Sequence, residues 1–349
     1  MFIGRQNDLV VLDFSQGVNP TGRTMSKPME YIWPGIIAAQ AIHAATKLGI
    51  AELLSSGPKS VAELAGDSGA HAPSLERLLR TLSSLGVFAI APDGRFCNTP
   101  LSDVLRADHP KSQRSSALFL PAAFLWRPLG ELHETVRTGE PAFQRIFGQR
   151  FFEYLASHPE DAETFNAAMT EGIGWTSSAL LTAYDFSRFR LVVDVGGGEG
   201  ALLRDILSAT PGTRGVLFDL PQVVSGASAF LSGDVGVRCQ VVGGDFFNSV
   251  PEGGDAYLLK GVIHDWPDQD AIKILRNTRR AMGPGGTLLL IENVVDAQRP
   301  VGMIELLMLV IGGRERTGAD FRSLLAAAGF AVTRIVPAGG TSVIECHLV

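Results

Sequence analysis

From Phe189 onward the chain alternates short β-branched or leucine-rich runs with stretches of helical spacing. The runs predict strands at Leu191–Val195, Gly215–Asp219, Cys239–Val242, Ala256–Gly261 and Thr287–Asn293, and a terminal pair at Ala331–Val336 and Ser342–Leu348. Ala201-Leu-Leu-Arg-Asp-Ile-Leu207, between the first two, carries its apolar residues at helical intervals. Strands separated by helices predict an α/β fold, a mostly parallel Rossmann-like sheet with helices on both faces. Upstream the pattern is helical. Ile36–Leu48 reads as one amphipathic helix stopped by Gly49. Ser60-Val-Ala-Glu-Leu64 opens a second, with Ser60 and Glu63 at capping-box spacing, and Ser74–Leu85 is a third, ended by Gly86. Val87–Ile90 and Arg95–Asn98 flank a Pro92-Asp-Gly94 turn and predict a small hairpin. Three helices and a hairpin make a winged-helix outline.

These patterns divide the chain into a tail or arm over residues 1–25, a mainly helical winged-helix-like domain over 26–115, a helical connector over 116–180 and an α/β domain over 181–349. The connector is rich in aromatics, among them Phe119, Phe124, Trp126, Phe143, Phe147, Phe151, Phe152 and Tyr154. Most of these are expected to be helix–helix core, and some to wall a pocket for a flat, apolar ligand.

Composition narrows the class. The 349 residues are 46% hydrophobic and 19% charged, as in a soluble globular protein, and the formal net charge is −6. A winged helix that reads DNA needs a basic face; the third helix offers only Arg77 and Arg80 against Glu76, so no nucleic-acid partner is expected. Cys97, Cys239 and Cys346 are scattered, form no CxxC pair, and suit a reducing compartment as small apolar residues. The apolar run Val301–Ile311 carries Glu305 and is shorter than the ~20 residues that span a bilayer, so it reads as a buried helix. Residues 1–25 lack a signal-peptide core and cleavage site, so a cytoplasmic location without membrane attachment is expected.

Chemistry concentrates at Leu191-Val-Val-Asp-Val-Gly-Gly-Gly-Glu-Gly200, a strand that ends in glycines before a helix. Glycines belong where a ligand approaches the backbone closely, and open α/β sheets bind nucleotides at this edge. Gly196-x-Gly198-x-x-Ala201 formally satisfies the dinucleotide fingerprint, and Asp219 lies at a suitable distance to hold ribose hydroxyls, so an NAD-dependent oxidoreductase is one reading. Glu199 within the turn is unfavourable to a pyrophosphate. Asp245, in Gly243-Gly-Asp-Phe-Phe247, is placed to accept the amine of an adenine while an aromatic ring packs on the base. A cofactor with ribose and adenine but no phosphate, such as the cationic S-adenosylmethionine, fits these carboxylates better.

The motifs Asp194-Val-Gly-Gly-Gly-Glu-Gly200, Phe218-Asp-Leu-Pro221, Gly244-Asp-Phe-Phe247, Leu259-Lys-Gly-Val-Ile-His-Asp-Trp266 and Gly312-Gly-Arg-Glu-Arg-Thr317 occur together and in order. In this the chain resembles the small-molecule O-methyltransferases of the caffeic acid O-methyltransferase type, over about residues 180–349, and its N-terminal part resembles that family's dimerisation domain. The resemblance implies a class I methyltransferase fold, a homodimer, S-adenosylmethionine as cofactor without a metal, and an aromatic or polyketide-like small-molecule acceptor. By resemblance the cofactor would meet Asp194, Gly196, Gly198, Asp219, Leu220, Gly244, Asp245, Phe246 and Lys260. Gly261 stands where those relatives commonly carry a bulkier residue.

His264 follows the fourth strand at the ligand-facing edge of the sheet and is the candidate general base. A phenol titrates near ~10 and imidazole near ~6.5, so proton transfer is expected to accompany methyl transfer rather than precede it. Glu292 and Glu315 match two acidic residues that flank the base in the family; an exposed loop residue paired with Arg314 or Arg316 is the other reading of Glu315. Asp265, Asp268 and Asp270 suggest a divalent-metal site less well than helix capping, with Asp265 bonding backbone N–H groups of the next helix. Phe124, Trp126, Phe143, Phe147, Asn166, Met169, Asp265, Met303 and Met308 are the candidate acceptor-pocket residues, because they match helices and loops that cover the site in relatives. A family member that binds the cofactor for chemistry other than methylation, and a winged-helix regulator that senses it, are the remaining alternatives.

Overall fold

The computed structural model describes residues 28–296 and 302–349, so the tail expected over residues 1–25 lies outside the described residues. The chain forms two compact units that divide between His109 and Pro110.

The first unit is helical. Helix Met29–Lys47 begins several residues before the stretch with clear amphipathic spacing. Helix Val61–Ser68 carries the expected capping box: the Ser60 side chain accepts from the Glu63 N–H, and the Glu63 carboxylate accepts from the Ser60 N–H at 2.7 Å. Such a cap holds the first turn by about 1 kcal/mol. Helix Ala72–Ser84 buries Leu75, Leu79 and Leu82 at i, i+4, i+7 spacing. β1 (Phe88–Ile90) and β2 (Phe96–Asn98) pair antiparallel as the predicted hairpin, with Phe88 and Phe96 buried.

The second unit is built on a sheet of seven strands: β3 (Leu191–Val195), β4 (Arg214–Asp219), β5 (Cys239–Gly243), β6 (Ala256–Lys260), β7 (Thr287–Glu292), β10 (Phe330–Ala338) and β11 (Thr341–Leu348). Two short strands, β8 (Val294–Val295) and β9 (Arg316–Thr317), form a separate parallel pair. The order across the large sheet is β10-β11-β7-β6-β3-β4-β5; β7 through β5 run parallel, and β11 and β10 are antiparallel to their neighbours.

Alternation sorts the strand side chains onto two faces. Val193, Val195, Tyr257, Leu259, Leu288 and Leu290 pack against Ile274 and Leu275 of helix Asp268–Ala281 and Phe321 and Leu325 of helix Gly318–Ala328. Val192, Leu217, Leu258, Leu289 and Ile291 pack on the other face against Leu203 and Ile206 of helix Ala201–Ala209. The chain departs from β3 toward β4 and β5, then returns to the other side of β3 as β6 and β7. The strand order therefore reverses between β3 and β6, which opens a crevice beyond their carboxyl ends.

Helix Pro159–Ala183 and several shorter helices precede the sheet. The apolar run expected as a buried helix is helical over Ile304–Ile311, but Ile304 and Leu306 stay 40% and 44% exposed. Its apolar residues run right round the helix, and one side lacks a neighbour within the described residues. Among the described residues no helix is long and apolar enough to cross a membrane.

Candidate active site

The glycine turn wraps over the end of β3. Gly196, Gly198 and Gly200 have positive φ, and the Gly196 N–H donates to the Phe218 carbonyl at 2.8 Å. A Cβ at Gly197 would lie 2.6 Å from both Asp194 Oδ2 and Leu217 Cδ1, whereas one at Gly198 would meet nothing within 4 Å. Gly197 is thus required by packing and Gly198 faces open space. Gly244 closes the turn from the β5 side: its N–H donates to the Asp219 carbonyl at 2.9 Å, and a Cβ there would strike the Phe218 ring at 2.5 Å.

Three carboxylates mark the strand ends. Asp194 is 1% exposed, and neither of its oxygens has a hydrogen-bond partner among the described residues. Burial, reinforced by the Asp219 charge and opposed by Lys260, pushes its carboxyl up to about 7. Asp219 Oδ2 accepts from the Gly198 N–H at 2.8 Å and Oδ1 from the Leu220 N–H at 2.7 Å. Burial outweighs these bonds and raises Asp219 to about 6. Asp245 accepts from the Phe247 N–H at 2.8 Å and from Asn248 Nδ2 at 3.1 Å, which fixes the turn after β5. Phe246 lies beside the glycine turn, 3.5 Å from where a Gly196 Cβ would sit, and meets Trp266 edge-on at 6.1 Å. Burial lowers the pKa of Lys260, at the end of β6, while Glu292 and Asp194 oppose the change. Glu199 accepts from Thr170 Oγ1 at 3.3 Å.

His264 sits just beyond β6, in a single turn of 3₁₀ helix over Ile263–Asp265. Its Nδ1 lies 3.0 Å from Glu315 Oε1 and 3.9 Å from Glu292 Oε2, and its Nε2 lies 3.5 Å from Asp265 Oδ1. Glu292 Oε1 accepts from the Ile263 N–H at 2.8 Å, and the Glu315 N–H donates to Glu305 Oε2 at 2.7 Å. Glu315 is therefore a buried partner of the imidazole rather than an exposed loop residue. Burial alone favours the neutral ring, but the charges of Asp265, Glu292 and Glu315 together push His264 up to about 10. This departs from the ordinary imidazole value expected from sequence, because three carboxylates converge on one ring. Burial raises Asp265 to about 7 against the pull of His264, and it raises Glu292 as well.

Two expectations need correction. Asp265 does not cap the following helix, Asp268–Ala281, whose N-cap position is Pro267 and which has no side-chain cap; the Asp265 carboxylate turns toward His264 instead. Phe124 and Phe143 are 4% and 0% exposed inside an aromatic cluster with Phe119, Phe151 and Tyr154, so they offer almost no surface to a ligand. The Phe143 ring lies 4.7 Å from Phe147 and 5.2 Å from Phe151, which accounts for its burial. Among the other pocket candidates, Phe147, Trp126 and Asn166 are half-buried, Met308 is buried, and Met169 and Met303 are exposed. Gly261 has φ +61°, and a Cβ there would sit 3.6 Å from His264 Nε2. A bulkier residue at this position would lie against that nitrogen; glycine keeps the flank clear.

Residues 129–331 match the O-methyltransferase domain family and residues 31–108 the O-methyltransferase dimerisation domain. The chain belongs to the S-adenosylmethionine-dependent O-methyltransferases. It is 44% identical to a phenazine O-methyltransferase of Lysobacter antibioticus, over 90% of this chain and 93% of that protein. It is 39% identical to an 8-amino-8-demethylriboflavin N,N-dimethyltransferase of Streptomyces davaonensis, over 88% and 91%. A solved O-methyltransferase from neocarzinostatin biosynthesis, in complex with S-adenosylmethionine and 2-hydroxy-5-methyl naphthoic acid, superimposes with a TM-score of 0.79 at 36% identity, covering 89% of this chain and 96% of that one. Membership sets aside the oxidoreductase and DNA-regulator readings.

Proposed function

We propose that the protein transfers the methyl group of S-adenosylmethionine to a phenolic hydroxyl of an aromatic or polyketide-like small molecule, with His264 as general base. The observation that carries this reading is the imidazole beyond β6, with Nδ1 engaged by Glu315 at 3.0 Å and Nε2 left on the side that Gly261 keeps open.

The crevice suits the cofactor. A buried carboxylate at Asp194 with no hydrogen-bond partner among the described residues, Asp219 beside it and a glycine turn facing open space favour a cation with ribose hydroxyls over a pyrophosphate. In this reading Asp194, Gly196 and Gly198 border the methionyl part, Asp219 and Leu220 the ribose, and Gly244, Asp245 and Phe246 the adenine. Lys260 contributes from the next strand. When bound, S-adenosylmethionine supplies an electrophilic methyl on a positively charged sulfur.

The chain's own residues handle the proton. In the neutral ring, whose share grows as pH rises toward about 10, Glu315 accepts the Nδ1 hydrogen and the Nε2 lone pair is left to receive a proton. As the acceptor oxygen bonds to the methyl carbon and the carbon–sulfur bond breaks, Nε2 takes the hydroxyl proton and later yields it to solvent. Glu315, Glu292 and Asp265 stabilise the imidazolium so formed. Their combined effect brings the ring close to the ~10 of a phenol, so the transfer is nearly balanced in energy. Asp265, at 3.5 Å from Nε2, stands where an acceptor would approach. Met169, Met303, Asn166, Trp126 and Phe147 remain proposed parts of the acceptor pocket, and the helical segment 116–180 its cover; Met308, as buried as Phe124, belongs with the core.

A homodimer is part of this reading. The first helix leaves Ile32, Trp33, Ile36 and Ile37 exposed at i, i+4 spacing, within the stretch that matches the dimerisation domain. A reducing, cytoplasmic setting is supported by Cys97, Cys239 and Cys346, which are all free thiols.

The deciding experiment compares wild type with His264→Gln and His264→Ala. Turnover with a panel of phenols, read as one added methyl by mass spectrometry, should fall about 10²–10⁴-fold while S-adenosylmethionine binds with unchanged affinity. Full turnover in either variant would remove His264 from the mechanism, and methylation confined to amines would overturn the phenolic acceptor.

A further inference from the structure

Arg316 is among the largest of the fully buried side chains in the described residues, at 1% exposure. Its guanidinium serves one short stretch of chain. Nη1 donates to the Ile263 carbonyl at 2.8 Å, Nη2 to the Trp266 carbonyl at 2.7 Å, and Nη2 and Nε to Asp268 Oδ1 at 2.8 and 3.2 Å. Ile263 and Trp266 bracket His264. The preceding peptide is held as well, since the Ile263 N–H donates to Glu292. The carbonyl of His264 itself accepts from the Arg314 N–H at 2.7 Å. β9, which begins with Arg316, pairs with β8 directly beyond Glu292. The loops after β6 and β7 and the segment 314–317 are thereby fastened to one another.

We propose that Arg316 is a positioning residue for methyl transfer: its planar fork fixes the backbone on both sides of His264 and so sets where Nε2 stands. The proposal rests on His264 being the base. Arg316 touches neither reactant; it acts through the carbonyls of Ile263 and Trp266. Arginine suits the task because one rigid group spans two carbonyls and a carboxylate, whereas lysine presents donors from a single point. A buried charge of this kind is a poor source of stability, and a hydrophobic residue of similar volume often replaces it without unfolding. Accurate placement of the base is where it matters: a displacement of about 1 Å costs a reaction about 10²-fold.

The test uses full-length Arg316→Met, Arg316→Lys and Asp268→Asn, with thermal melting, equilibrium binding of S-adenosylmethionine, kcat, KM and the pH profile of kcat. Expected for Arg316→Met is near-normal cofactor affinity, a kcat lower by about 10²-fold with KM within a few-fold, and a pH limb displaced toward acid as the ring drifts from Glu315. Arg316→Lys should recover part of kcat, and Asp268→Asn should lose several-fold with the limb moving the same way. Wild-type kcat and pH limb in folded Arg316→Met would overturn the proposal, as would a kcat loss matched by the loss of folded or cofactor-binding protein. If Arg316→Met does not fold, an unchanged kcat and limb in both Arg316→Lys and Asp268→Asn overturns it. Failure of the base itself reads differently: His264→Gln would then keep its turnover, and this proposal would fall with it.

Discussion

Replacing Glu315 by Gln isolates the charge that bears on His264 Nδ1 and leaves an acceptor oxygen of the same shape. The contact is 3.0 Å long and the Glu315 side chain is 2% exposed, so solvent screens it little. A hydrogen bond to a charged group in such a setting is worth about 1.5–3 kcal/mol, and each ~1.4 kcal/mol moves a pKa by one. The sign follows from what the carboxylate stabilises. Glu315 favours the protonated imidazole, so its neutral replacement lets the ring lose its proton at lower pH. The rising limb of the profile should therefore move about one to two pH units toward acid, while the plateau falls because the base is weaker. Initial rates at saturating cofactor across pH, with one acceptor throughout, provide the measurement; the ionisation of the acceptor is then common to both enzymes. A cavity or a general loosening would scale the whole curve down in place. A profile lowered without moving along the pH axis, or moved toward alkali, refutes the argument.

The crevice supports two further expectations. Burial holds Asp194 protonated up to about 7, and a cationic ligand favours its ionised form, so cofactor binding should release a proton and tighten as pH rises toward 7. Calorimetry in buffers of different ionisation heat reads this directly; proton uptake, or release undiminished in Asp194→Asn, contradicts it. Because the folded value lies above the unfolded one of 3.8, the free protein should also lose stability from this group as pH rises from about 4 through 7. Gly197→Ala places a methyl 2.6 Å from Asp194 Oδ2 and Leu217 Cδ1, so the melting temperature should drop by the equivalent of about 1–3 kcal/mol and cofactor affinity should fall. An unchanged melt and affinity would show that the turn relaxes freely.

Local signals in the sequence were enough for the strands and the capped helix. The seven strands of the large sheet lie within about two residues of their predicted limits, whereas the short pair β8 and β9 was not expected. The Ser60–Glu63 box was legible because both partners lie within one turn. Side-chain direction was not. Asp265 has the identity and place of a helix cap, yet the turn Ile263–Asp265 aims it at His264. Phe124 and Phe143 carry the same apolar label as a pocket wall, and only the neighbouring rings make them core. Arg316 looks like a loop charge in Gly312-Gly-Arg-Glu-Arg-Thr317, and its burial depends on carbonyls some fifty positions away. Of the carboxylates that lift His264, Glu292 and Glu315 were legible through the motifs that carry the family resemblance, whereas the part played by Asp265 was not.

Under the proposed mechanism, the reversal of strand order between β3 and β6 separates most of the cofactor-facing carboxylates from the residues that handle the proton. Asp194, Asp219 and Asp245 lie at or just beyond strand ends on one side of that seam; on the other, His264 follows β6 and Glu292 ends β7, with Lys260 the one proposed cofactor contact there. The surroundings of the proton-handling half can thus be remodelled over generations with the cofactor half left as inherited. A shared framework carrying the name of a phenazine O-methyltransferase in one lineage and a riboflavin-derived amine dimethyltransferase in another is what such independence permits.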